Sequence, residues 1–193
     1  MQKDGKCDLT QFDPAYFTRL KEFVAAAGER GLIVEMTLFC STYGAKQWAV
    51  SPFNPANNSN QTTVREFKEL HTKNNGNVLA FQDAMTRRIV RELNEFDNVI
   101  FEIQNEPWAD RGVPVDSINL YQPMRWPNSV DLADDASLEW QRMVAGWIRC
   151  EEAALPVKHS VAWNVCNFRH SLKEVLTGAD VINFHYAHPE AAL

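Results

Sequence analysis

Val99-Ile100-Phe101-Glu102-Ile103-Gln104-Asn105-Glu106-Pro107-Trp108 is the stretch on which the fold turns. Its first half is a β-branched and aromatic run that follows the turn-like Glu95-Phe96-Asp97-Asn98, and such a run reads as a buried strand. Pro107 has no N–H to give to a ladder, so the strand stops there. Asn105 and Glu106 therefore stand at the carboxyl end of that strand.

The units on either side decide which sheet the strand belongs to. Upstream, Asp13-Pro14 is a helix start, an N-cap carboxylate followed by proline at the first helical position. The helix runs from Pro14 to about Gly28, with Phe17, Leu20, Val24 and Ala27 as its apolar stripe and Gly28 and Gly31 at its end. Leu32 to Phe39 is a nearly continuous apolar run, as in a strand covered on both faces. Glu35 interrupts it in mid-strand, where a paired or interior carboxylate is expected. Cys40 to Gly76 is loop-like and rich in turn residues, and so long a connection points to a functional or partly ordered segment. Asn77 is placed as the cap of the next helix, with Val78, Phe81, Met85, Ile89 and Leu93 facing the core and Arg87, Arg88 and Arg91 on a solvated face.

Downstream, a second long loop spans Ala109 to Ala133 and carries Tyr121 and Trp126. Asp134-Asp135 opens a helix to about Ala154 that turns Trp140, Val144, Trp147 and Ile148 inward. Val157 to Val165 reads as a strand ending near Cys166-Asn167, Ser171 to Gly178 as a short helix, and Val181 to Tyr186 as a last strand. Helix and strand thus alternate four times, the pattern of a parallel sheet with right-handed crossovers. A doubly wound nucleotide binder needs a glycine-rich turn after its first strand, and none of these strands has one. Polar and aromatic residues gather instead at strand ends, as at the mouth of a barrel. The expected fold is α/β, part of a (β/α)8 TIM barrel.

Composition narrows the partners. The chain has 193 residues, 45% of them apolar, enough for one domain with a real core. A net charge of -6 without a dense basic run argues against nucleic acid. No run of about 18 apolar residues is present, so no membrane span is expected. The first six residues are polar and lack the apolar centre of a secretion signal. Cys7, Cys40, Cys150 and Cys166 show no C-x-x-C pair and no zinc-finger spacing; free thiols, with Cys40 and Cys166 as candidates for burial at strand ends, are favoured over a disulfide, which stays open as the alternative.

A carboxylic acid at a strand end, with an amide beside it and Trp108 next to it, suits work on a sugar. Glu102, in mid-strand, is expected to point into the barrel or to ion-pair in its wall. His185 and His188 lack a third ligand at metal spacing, so no metal and no cofactor are assigned.

The chain resembles the clan A glycoside hydrolases, most of all glycoside hydrolase family 5, the cellulase and mannanase type. Phe101 to Pro107 is similar to the family's fourth-strand motif, whose Asn-Glu-Pro core holds the acid/base glutamate. Tyr16-Phe17 through Leu20 to Gly31-Leu32-Ile33-Val34 resembles the preceding helix and third strand, His185-Tyr186 the end of the sixth, and Trp48 to Phe53 a third βα loop. On this resemblance residues 1–193 cover about strands three to six of one catalytic domain, truncated at both ends. The nucleophile glutamate of the seventh strand would lie beyond Leu193; Glu190 comes too soon after the sixth strand to be it.

The resemblance implies a retaining hydrolase of a β-linked glucan or mannan, in which two carboxyls about 5–5.5 Å apart protonate the leaving oxygen and attack the anomeric carbon. Glu106 would be the general acid/base and Asn105 would bind the sugar 2-hydroxyl. His185 and Tyr186 would position the catalytic groups or bind sugar, Trp48, Trp108 and Trp126 would stack on it, and Asn167 would form a polar wall. The alternatives are a non-catalytic carbohydrate-binding barrel or pseudo-enzyme and a metal-dependent hydrolase. The parent protein is expected to be a secreted or periplasmic monomer. The segment alone is expected to be inactive and poorly stable, with open strand edges.

Overall fold

The computed structural model describes residues 2–3, 5–107, 111–114, 129–167 and 178–185. A two-stranded hairpin, β1 (Gln2–Lys3) and β2 (Lys6–Cys7), precedes α1 (Pro14–Gly28) and β3 (Val34–Cys40). Then come α2 (Ala45–Val50), α3 (Val78–Leu93), β4 (Val99–Asn105), β5 (Arg111–Pro114) and β6 (Ser129–Leu132). The order closes with α4 (Asp135–Glu152), β7 (Ser160–Asn167) and β8 (Val181–His185).

Local chemistry sets these limits. Asp13 accepts from the Ala15 amide and Pro14 opens α1; at the far end Gly31 takes φ 68°, which lets Leu32 N–H reach back to the Ala27 carbonyl. Asp134 caps α4 through the Ser137 amide. Asn77 does not cap α3 with its side chain. Its Oδ1 instead accepts from Thr63 N at 2.9 Å, tying the preceding loop to the helix start.

Four strands, β3, β4, β7 and β8, run parallel, each beside the one before it in chain order. A doubly wound sheet reverses its order at a switch point; among these strands there is no reversal. The second long loop is more structured than its sequence suggests, since β5 and β6 pair antiparallel and β6 meets β7 at Leu132 and Cys166. The segment 171–178 is described only at Gly178, so the expected helix lies outside the described residues, as do Tyr121, Trp126 and Glu190.

The sheet is curled. Asn183 on β8 donates to Glu35 on β3 at 2.6 Å and to Glu102 on β4 at 3.0 Å. Between β8 and β3 lie three inter-strand gaps, about 14 Å in a flat sheet, too far for these two side chains to meet. The concave face is thus polar, with Glu35, Thr37, Glu102, Asn183 and His185. The mid-strand glutamates are both paired wall residues.

Against the other face pack the helices, with Trp140, Val144 and Ile148 of α4 and Ile89, Val90 and Leu93 of α3 buried together with Phe101, Ile103 and Trp163. The arginine face of α3 is not simply solvated. Arg87 and Arg91 share Glu151 of α4 at 3.2 Å each, and the Arg88 guanidinium lies 5.1 Å over the Phe17 ring. Leu32 and Ile33 do not join the strand and are 57% and 69% exposed. The ladder begins only where Val34 N–H finds the Asn98 carbonyl, while the Leu32 carbonyl is taken by the Asn98 side chain.

The segment 40–76 is ordered, by asparagine. Asn58, 2% exposed, donates to the carbonyls of Pro52 and Asn54 and to Thr62 Oγ1, and its Oδ1 accepts from the amides of Asn60 and Thr62. Asn75 and Gln82 both donate to the Leu70 carbonyl, fastening this segment to α3.

Candidate active site

The site stands where β3, β4 and β8 end. Neighbouring strand residues face opposite sides, so Asn105 and Glu106 should diverge. They do not, because Glu106 adopts φ 50°, a left-handed conformation costing about 1 kcal/mol or more for a residue with a side chain. That twist breaks the alternation. Asn105 Nδ2 donates to the Tyr43 hydroxyl at 2.9 Å, and the same hydroxyl donates to Glu106 Oε2 at 3.1 Å. The strain is held by Pro107, buried behind it, and by the Asn105 carbonyl, which accepts Ser41 N–H.

Glu106 itself is 7% exposed. Its Oε1 lies 3.1 Å from Nδ1 of His185, whose Nε2 lies 3.4 Å from Glu102 Oε1. The hydrogen bond to Glu102 chiefly holds the His185 imidazole above its usual range; burial opposes it and Glu106 adds to it. Burial works to raise the Glu102 carboxyl, but hydrogen bonds from His185, Thr37 (2.6 Å) and Asn183 outweigh it and hold the group below its ordinary value. Glu102 is therefore held as a charged anchor, and the His185 ring stands between two carboxyls. Burial, with Cys40 and Glu106 alongside, pushes the Tyr43 phenol up, so it remains a donor.

Beneath this cluster lies a neutral network. Gln104, 1% exposed, donates to Ser41 Oγ at 2.8 Å, faces His71 Nδ1 at 3.4 Å, and accepts from Ser137 Oγ at 3.4 Å. Burial holds the His71 pKa down to about 4, and its ring rests 4.8 Å from that of Trp140. One side chain thus joins the exit of β3, the 40–76 segment and the start of α4 under the Asn105–Glu106 corner.

The sequence model of the cellulase family, glycosyl hydrolase family 5, matches residues 2–137. The chain belongs to glycosyl hydrolase family 5. That membership makes it a relative of glycoside hydrolases and implies a (β/α)8 barrel, in keeping with parallel strands in chain order around a polar concave face. The matched span includes β3, β4 and Glu106, whereas His185 lies beyond it. Comparison with curated proteins returned no match.

Of the site residues read from sequence, this family-5 chain brings Glu106, Asn105 and His185 together. Asn167 ends β7 in register with His185, so its backbone lies at the same end. Trp48 stands on α2, packed with Phe53 against Val64, Leu70 and Val78. Trp108 and Tyr186 lie outside the described residues. Tyr43 and the Gln104 network were missed. The strand-end rule that singled out Glu106 would have found Tyr43, three residues past the end of β3. Cys40, expected to be buried, is exposed beside it, 3.6 Å from the Tyr43 hydroxyl. Cys7 and Cys150 are also free thiols. Among the described residues no three acidic, histidine or cysteine side chains are placed to hold a metal, and no helix is long and apolar enough to cross a membrane.

Proposed function

We propose that this chain carries the acid/base side of a retaining glycoside hydrolase acting on a β-linked polysaccharide of the cellulose, glucan or mannan type. Glu106 is the general acid that protonates the leaving oxygen and the base that then activates water. Asn105 engages the sugar 2-hydroxyl, and His185 orients the Glu106 carboxyl. The observation that carries this reading is the strained, nearly buried Glu106, turned so that it shares one hydroxyl with Asn105 and meets His185 on its other oxygen.

Retention needs a second carboxyl at about 5–5.5 Å as nucleophile. Glu102 is unsuited to it, because Thr37, Asn183 and His185 occupy both its oxygens. The nucleophile is assigned to a glutamate outside the described residues. Asn167, Tyr186, Trp48 and Trp108 remain proposed sugar contacts, and the domain is proposed to be a single catalytic one.

The test is Glu106→Ala in the intact enzyme. With a phenyl glycoside of poor leaving ability, turnover should fall by about 10²–10⁴-fold, the usual worth of a general acid. With an activated dinitrophenyl glycoside, whose departure needs no acid, breakdown of the glycosyl-enzyme should limit turnover, and azide should raise it by giving the β-glycosyl azide, since azide needs no base. An unchanged rate in the alanine variant would remove Glu106 from the role.

A further inference from the structure

We propose that Tyr43 is a positioning residue that decides which oxygen of Glu106 carries the catalytic proton. The inference rests on the acid/base reading of Glu106 and goes beyond it. The Asn105 amide nitrogen has only hydrogens to give, so its 2.9 Å contact occupies a lone pair of the Tyr43 oxygen. The phenolic hydrogen is then directed at Glu106 Oε2, 3.1 Å away. An oxygen that already accepts this hydrogen is a poor place for a second proton.

The proton of the acid state therefore sits on Oε1, the oxygen 3.1 Å from His185 Nδ1. Oε1 has two lone-pair directions, one facing the imidazole and one free to meet a leaving oxygen. The balance is of one proton. His185, held above its usual range chiefly by Glu102, keeps a hydrogen on Nε2 toward that carboxyl at 3.4 Å. After Glu106 has given its proton to the leaving group, the Tyr43 hydroxyl holds the new carboxylate. Tyr43 favours the charged form over the neutral acid, whose Oε2 is the weaker acceptor, and burial keeps the phenol protonated throughout.

The test is carbon-13 NMR of glutamate-labelled protein, with the Glu106 carboxyl identified as the signal lost in Glu106→Gln. In Tyr43→Phe its titration should move upward by about one pH unit, the worth of one hydrogen bond to a charged group. In the intact enzyme the basic limb of the kcat/KM profile should move the same way, with KM little changed. Tyr43→3-fluorotyrosine, a stronger donor of the same shape, should move both downward and serves where the phenylalanine variant fails to fold. A signal indifferent to both substitutions overturns the proposal, and so does an equal movement in Cys40→Ala, which would mean general loosening of the cluster. Full turnover by Glu106→Ala would instead overturn the acid/base reading, and the carbon signal separates the two failures.

Discussion

Replacing Glu152 by glutamine should cost stability mainly at low pH. His159 is 4% exposed, and both of its ring nitrogens face acceptors: Nδ1 meets Glu152 Oε1 at 2.6 Å and Nε2 meets the Phe96 carbonyl at 2.7 Å. A neutral imidazole has one hydrogen, so only the cation satisfies both contacts. Burial alone would lower its pKa, but Glu152 and the Phe96 carbonyl prevail and hold it above the ordinary 6.5. Because the folded value lies above the unfolded one, the stabilisation is complete below pH 6.5 and is lost as pH rises through the folded value. Around the pair stand Arg149, 3.6 Å from Glu152 Oε2, Asp180 against Arg149, and Lys158 on the Glu152 carbonyl. Breaking a buried pair costs about 3–5 kcal/mol. Glutamine keeps the shape and one acceptor for Nδ1–H, so Glu152→Gln should lose about 3 kcal/mol at pH 6. Once pH has risen through the folded value the imidazole is neutral in both proteins, and the difference should shrink to about 1 kcal/mol. The assay is urea unfolding of both proteins over a pH series rising from pH 6, with a fall in Tm of about 6–12 °C at pH 6 as a second reading. An equal loss at every pH of the series would refute the charged pair.

Two further predictions concern the frame that holds the site. Trp140 is fully buried against Phe39 and His71 and donates to Gln82. Trp140→Ala should cost about 3–5 kcal/mol by denaturant unfolding, and a loss under about 1 kcal/mol would mean that the core refills. Asn58→Ala leaves the Thr62 amide and the Pro52 and Asn54 carbonyls without their partner. It should speed hydrogen exchange at Thr62 well above that of β4 amides while costing about 2 kcal/mol overall; uniform exchange across the chain would deny that asparagine orders this loop.

Elements with local signals were legible. Asp13-Pro14 and Asp134 announced their helices because a cap is a contact within three residues. The run before Pro107 announced β4, and the strand-end rule placed Glu106. What misled was chemistry decided at a distance. Asn77 looked like a cap but serves Thr63 across fourteen residues of chain, and Arg87 and Arg91 looked solvated until α4 brought Glu151 alongside. Leu32 and Ile33 were apolar enough for a strand, yet Asn98 set its start two residues later.

The sequence by itself determined the alternation of helix and strand, the parallel sheet and the carboxyl at the end of β4, because periodicity and capping act over a few residues. Only the tertiary structure decided what that carboxyl touches. The left-handed turn at Glu106, the single hydroxyl of Tyr43 between Asn105 and Glu106, and the His185 ring between two glutamates depend on three strand ends converging on one point. Those residues lie up to 142 positions apart between Tyr43 and His185, and no local preference can encode a meeting made by the curl of the sheet.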